Sequence, residues 1–171
     1  MKKRFFAALA LLLGLTAVLS GCSARRAAEE DLMASIPTLT LRIGDRSTAI
    51  PIYGYSWTLQ VGAMGQSSHV DTAHPLQVVG DLTKVSTSAG STVGMDFSRL
   101  PDSVSITCWD VDQAGDPSAE GRDLESSFSN GLFYFTPPES GQDLVLWVQG
   151  SWTSYDDVSG SVSYGFVLSQ N

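Results

Sequence analysis

Cysteine is scarce in this chain: 171 residues hold two, Cys22 and Cys108. No closely spaced cysteine pair exists, which excludes a thiolate zinc site of the finger type. Histidine is as rare, and its two copies, His69 and His74, fall in one short stretch. The Gly-x-Ser-x-Gly turn that exposes a nucleophilic serine does not occur, nor does a glycine-rich phosphate loop. Beyond residue 38 no stretch repeats its apolar residues every 3.6 positions, so helices are not expected there. Cations are few and lie largely at the start. Without residues 1–21, which hold three of the ten Lys and Arg, seven cations face eighteen carboxylates, a net charge of −11. Such a surface repels nucleic acid and anionic lipid headgroups. It suits a solvated domain, or one that attracts cations.

The opening residues have the layout of an export signal. Met1-Lys2-Lys3-Arg4 is cationic, Phe5 to Val18 is apolar, and Leu19-Ser20-Gly21 supplies small residues ahead of Cys22. The apolar stretch is too short for a spanning helix and stops at a charged segment containing Arg25, Arg26, Glu29, Glu30 and Asp31. Leu19-Ser20-Gly21-Cys22 resembles the lipobox of bacterial lipoproteins. The resemblance implies cleavage between Gly21 and Cys22, a diacylglyceryl group on the Cys22 sulfur and acylation of the new N-terminus. Two acyl chains hold a protein to a bilayer at about 0.8 kcal/mol per buried methylene, so the folded domain need not touch the membrane. The expected location is the extracytoplasmic face of the cell membrane. The plainer alternative is an ordinary signal peptide followed by a coincidental cysteine. With Cys22 lipidated, Cys108 has no intramolecular partner, and the fold must rest on its core.

Three segments follow: a leader over 1–21, a lipidated tether over 22–37 and a single domain over 38–171. The tether has room for a helical turn or two between Arg25 and Met33 and ends at Ile36-Pro37. From Thr38 the pattern alternates. Leu39, Leu41 and Ile43 share one face, as do Val93, Met95 and Phe97. Val104, Ile106 and Cys108 form a third set. Leu144, Leu146, Val148, Gly150 and Trp152 form a fourth. Val162, Tyr164, Phe166 and Leu168 form the last, with Ser161, Ser163 and Ser169 opposite. These read as half-buried strands. Asn130-Gly131 predicts a two-residue hairpin turn. Pro137-Pro138, Gly90, Pro101-Asp102 and Gly160 punctuate the rest. Two long loops are expected, Gln66 to Pro75 and Asp110 to Asp123. Short strands at this spacing predict an all-β, antiparallel sandwich.

Tyr55-Ser56-Trp57, Asp71 followed by Pro75, Pro101 to Trp109, Phe135-Thr136-Pro137, and Trp152 followed by Tyr164-Gly165-Phe166 resemble small Ig-like sandwich modules of uncharacterised Gram-positive lipoproteins. The likeness spans about residues 38–169. It implies the fold and carries no functional residue with it.

Four groups of residues are candidates for chemistry. His69, Asp71 and His74 could supply three metal ligands if a loop folds back on itself; strand alternation instead puts His74 on the face opposite the other two. Asp110, Asp112 and Asp116, with Glu120 beyond, look like part of a calcium loop. The EF-hand spacing then puts Ala114 and Gly121 where ligands are needed, leaving a looser oxygen site or a solvated hairpin tip. Cys108 alternates in phase with Val104 and Ile106 beside two carboxylates, the setting of a core thiol and not of a nucleophile. Trp109 and Trp147 fall out of phase with the core, and on an open face they could stack on a sugar or anchor a protein; a neighbouring segment could equally cover them. No catalytic constellation and no cofactor is expected. The leading expectation is a lipid-anchored, non-enzymatic binding module with a protein or cell-wall glycan partner. The alternatives are a metal-dependent or hydrolytic envelope enzyme using the His69 loop, and a carbohydrate-binding module using tryptophans.

Overall fold

The computed structural model describes residues 26–61, 64–88, 90–138 and 142–170. The expected leader and Cys22 lie outside them. Residues 26–35 form a helix with an Arg26–Glu30 ion pair of 3.3 Å one turn apart. A separate compact unit runs over Ile36–Asn171.

That unit is built of twelve strands among the described residues. The first sheet contains β1 (Leu39–Ile43), β2 (Arg46–Ile50), β6 (Val93–Phe97), β9 (Ser127–Ser129) and β10 (Leu132–Phe135). Its order is β2-β1-β6-β10-β9, antiparallel throughout. The second contains β3 (Ile52–Val61), β4 (Met64–Val70), β5 (Thr83–Thr87), β7 (Ser103–Asp110), β8 (Arg122–Asp123), β11 (Leu144–Trp152) and β12 (Val158–Gln170). Its order is β4-β3-β12-β11-β7-β8. β3 pairs with the first half of β12, and β5 runs parallel to the second half. The expected antiparallel sandwich is therefore present, with one parallel pair.

Each alternating set turns its apolar side inward. Leu39, Leu41, Val93, Met95, Ile106, Leu144, Leu146, Val148, Val162, Tyr164, Phe166 and Leu168 are all buried. Phe97 of the first sheet meets Trp152 and Tyr164 of the second edge-on, with centroids 6.1 and 5.8 Å apart, and Trp57 meets Trp152 at 5.4 Å. Edge-to-face rings add about 0.5–1.5 kcal/mol each to what their burial supplies. The Asn130-Gly131 turn joins β9 to β10, both residues at positive φ (51° and 81°) as a type I′ turn requires. The Asp110–Asp123 segment is a long hairpin loop, closed where β7 pairs with β8.

Two expectations are corrected. The stretch from Gln66 is not all loop: it continues β4 to Val70, in register with β3 from Val61↔Met64 to Tyr55↔Val70. β4 is an edge strand, and such a strand needs little apolar alternation because the ladder on one side holds it. Gly160 does not interrupt the chain but lies inside β12. A β-carbon there would sit 2.0 Å from the Ser56 carbonyl oxygen, and φ is 143°, so glycine is what lets β3 and β12 come together.

β11 and β12 are covered on both faces. Val145 and Val167 point away from the sandwich interior and are still buried. They belong to a second core with Leu76, Leu82 and Trp109. The cover is the segment 74–82, which folds as two 3-10 turns, Pro75–Gln77 and Val79–Asp81. It is tied to the β7–β8 hairpin loop by Gly115 N–H donating to Leu76 O at 2.8 Å.

Candidate functional site

The outer face of the second sheet divides in two. At one end lie Trp109 and Trp147, whose alternation left them either open to solvent or covered by a neighbouring segment. Trp109 is only 7% exposed. Its indole N–H donates to the Ala119 carbonyl at 3.1 Å, and the His74 ring meets it edge-on at 5.3 Å. Trp147 is half-buried, tilted against Tyr53 with centroids 5.8 Å apart, while the Tyr53 hydroxyl donates to Asp81 O at 2.7 Å. Here the alternation did place both rings opposite the main core, but the 74–82 segment and the hairpin loop fold over them. They form the floor of the second core and not an open aromatic platform.

The other end is uncovered and polar. Ser56 of β3, Ser161 and Ser163 of β12, and Gln149 of β11 lie side by side across three strands, paired Ser56↔Ser161 and Gln149↔Ser163. Gly54, opposite Ser163, is buried, and a β-carbon there would lie 3.1 Å from Thr72 Cγ2, so glycine lets Thr72 pack directly over the strand. His69, opposite Ser56 on β4, and the following Asp71 and Thr72 form a wall. Together these residues line a groove of about 190 Å³. The side chains of Ser56, Gln149, Ser161 and Ser163 make no hydrogen bond to another described residue. Their hydroxyl and amide groups are turned to solvent as donors and acceptors. Val70 adds one apolar surface on the wall.

His69 Nε2 and Asp71 Oδ1 are 2.7 Å apart. Both side chains are largely in water, 59% and 92% exposed, so the pair adds little to stability. No serine hydroxyl bonds the His69 ring among the described residues, so the hydrogen-bonded nucleophile–base pair of hydrolytic catalysis is not assembled. His74 is elsewhere. Its Nδ1 accepts from Leu76 N–H at 3.3 Å and caps the first 3-10 turn. The three residues proposed as metal ligands are thus split between the groove wall and the second core.

The aspartates of the hairpin loop are split likewise. Asp110 pairs with Arg122 at 2.8 Å. Asp116 accepts from both the hydroxyl and the backbone N–H of Ser118, which lowers its pKa. Asp112 lies in the short 3-10 turn between them. Among the described residues no three His, Cys, Asp or Glu side chains are grouped to hold one metal ion.

Cys108 is fully buried. Burial raises its thiol pKa, against the lowering effect of nearby Arg122. The thiol stays protonated and packs as a small apolar group.

The groove was only partly legible in the sequence. Ser161 and Ser163 read as the wet side of a strand, but nothing local brought them beside Gln149 or His69. No protein-family model matches the chain, and no curated protein or solved structure matches it.

Proposed function

We propose that the chain is a lipid-anchored lipoprotein, held through Cys22 at the extracytoplasmic face of the cell membrane, whose sandwich serves as a non-enzymatic binding module for a cell-wall glycan. The anchor rests on the Leu19-Ser20-Gly21-Cys22 motif and the cationic, apolar leader before it. The ligand class rests on one observation: the groove lined by Ser56, Gln149, Ser161, Ser163 and the His69–Asp71 pair offers hydrogen-bonding groups that the protein does not use itself. Sugar hydroxyls are both donors and acceptors and match such a lining. A protein partner would want a buried aromatic or apolar anchor at its centre; here the lining is mostly polar, with Val70 at its wall and Tyr55 half-buried beside it.

The test is retention of the full-length protein, in neutral detergent, on isolated cell-wall polymers. Gln149→Ala combined with His69→Ala is expected to abolish retention, since two of the groove's polar groups are lost. Undiminished retention overturns the glycan reading. Mass spectrometry of the native N-terminus tests the anchor separately: a diacylglyceryl adduct on Cys22 is expected, and Cys22→Ala is expected to release the protein from membranes. An unmodified Cys22 overturns it.

A further inference from the structure

Six Lys or Arg residues fall among the described residues: Arg26, Arg42, Arg46, Lys84, Arg99 and Arg122. Four are paired with carboxylates: Arg26 with Glu30 at 3.3 Å, Arg42 with Asp96 at 2.5 Å, Arg99 with Asp157 at 2.9 Å, and Arg122 with Asp110 at 2.8 Å. Arg46 and Lys84 have no carboxylate partner among the described residues. Both line the same crevice of about 230 Å³, at the sandwich edge where β2 of the first sheet comes beside β5 of the second.

A chance scatter of cations in so acidic a chain would leave each with a carboxylate nearby. Seventeen of the chain's eighteen carboxylates lie among the described residues, and none of these forms an ion pair with either cation. Two like charges in one crevice repel, and an anion between them relieves the repulsion. The crevice supplies the other parts of an anion site. Arg46 spends one donor on the Ser86 carbonyl at 3.3 Å, which ties its side chain across the two sheet edges and leaves the rest of the guanidinium fork free. Thr48 and Ser86 add hydroxyls to the lining, and Leu41 and Val85, both buried, contribute its apolar part. Asp45 precedes Arg46 in the β1–β2 turn and forms no ion pair with it.

We propose that this crevice binds a phosphate group, with Arg46 as the fork, Lys84 as the point charge and Thr48 and Ser86 as hydroxyl donors. A tetrahedral oxyanion has enough acceptor oxygens for all four, where a carboxylate has two oxygens to share. The chain's net charge of −8 repels anions at long range, but within a Debye length of about 8 Å the local cations decide. The site shares no residue with the polar groove and stands independently of the glycan reading. The phosphate belongs either to a soluble phosphoester or to a lipid headgroup reached from the tether.

The test uses full-length protein in neutral detergent, with inorganic phosphate titrated at constant ionic strength and backbone amides followed by NMR. Saturable shifts are expected at Thr48, Val85 and Ser86. Lys84→Gln and Arg46→Gln are each expected to weaken binding about tenfold, the usual loss of one hydrogen bond to a charged group. Shifts that do not saturate, or that survive Lys84→Gln unchanged, overturn the proposal. Should Arg46→Gln unfold the protein by freeing the Ser86 carbonyl, Lys84→Gln still decides, because the Lys84 side chain makes no hydrogen bond to any described residue. Detergent micelles doped with phosphatidylglycerol, compared with micelles doped with a phosphate-free glycolipid, separate the sources. Movement of the same amides by phosphatidylglycerol as well as by inorganic phosphate supports the headgroup. Movement by inorganic phosphate without it supports a soluble phosphoester. Movement by neither rejects the site.

Discussion

The Tyr164 hydroxyl donates to the Pro37 carbonyl at 2.7 Å, across 127 residues of chain. This bond ties the middle of the last strand to the residue that leads into the first. The ring is fully buried between the sheets, so the hydroxyl has no water to fall back on. Tyr164→Phe leaves the Pro37 oxygen without its donor and is expected to cost about 1–3 kcal/mol, read as a lower urea midpoint with an unchanged slope. Burial also raises the Tyr164 pKa. The neutral form is the folded one, so its stabilisation is complete below the ordinary tyrosine pKa of about 10 and lost as pH rises above it. Alkaline unfolding that is equally steep in Tyr164→Phe would contradict this.

The second core makes a prediction about light. Trp57, Trp109 and Trp152 are buried, and Trp147 is the one half-buried indole. Acrylamide is expected to quench a minor fraction of the fluorescence, and Trp147→Phe is expected to remove most of that fraction. Trp109→Ala is expected to cost about 3–5 kcal/mol, as for a large buried aromatic. Strong quenching that persists in Trp147→Phe would mean that the 74–82 cover is open in solution.

Asp102 organises the β11–β12 turn. Its carboxylate accepts from the backbone N–H groups and the hydroxyls of Thr153 and Ser154. These bonds, the Ser154 hydroxyl foremost, lower its pKa to about 2. A depressed carboxylate stabilises the fold above its unfolded pKa near 4 and loses that contribution as pH falls toward 2. The Asp102 carboxyl resonance is expected to titrate with a midpoint of about 2. Asp102→Asn should narrow the stability difference between pH 6 and pH 2, and a midpoint at the ordinary value would show that the turn is not closed in this way.

Cys108 is expected to react with thiol reagents only through unfolding. Its alkylation rate in native protein should fall as stability rises and become fast in denaturant, because both burial and the raised pKa suppress the thiolate. Rapid stoichiometric labelling under native conditions would contradict the core assignment.

Much of the sandwich was legible because its core strands each turn one apolar face to the interior. Leu39–Leu41, Val93–Phe97 and Val162–Leu168 carry the two-residue period on their faces, and Asn130-Gly131 names its own turn. β4 was not legible, since an edge strand of Gly, Gln, Ser and His has no apolar rhythm to read. Nor was the parallel pairing of β5 with β12, which depends on where the 74–82 segment delivers the chain. The unbroken apolar run Leu144-Val145-Leu146-Trp147-Val148 carried a hint of the second core, since a strand covered on both faces loses its alternation. The tryptophans out of phase were real; what covers them is the 74–82 segment, distant along the chain, and the hairpin loop that reaches back over Trp109 from Ala119. The groove and the crevice were invisible for the same reason. Ser56, Gln149 and Ser161, or Arg46 and Lys84, are unremarkable singly and meet only through strand pairing.

Local chemistry, read residue by residue, was enough to determine that this chain makes short pleated strands, where one hairpin turns, and that its surface is acidic. Those properties depend on near neighbours: backbone preference, alternation and charge count. Which polar groups stand together, which rings are covered and which cations go without a carboxylate were decided by the tertiary structure alone. Each is a matter of distance between residues far apart along the chain, and only the pairing of strands and the closing of one sheet on the other sets those distances.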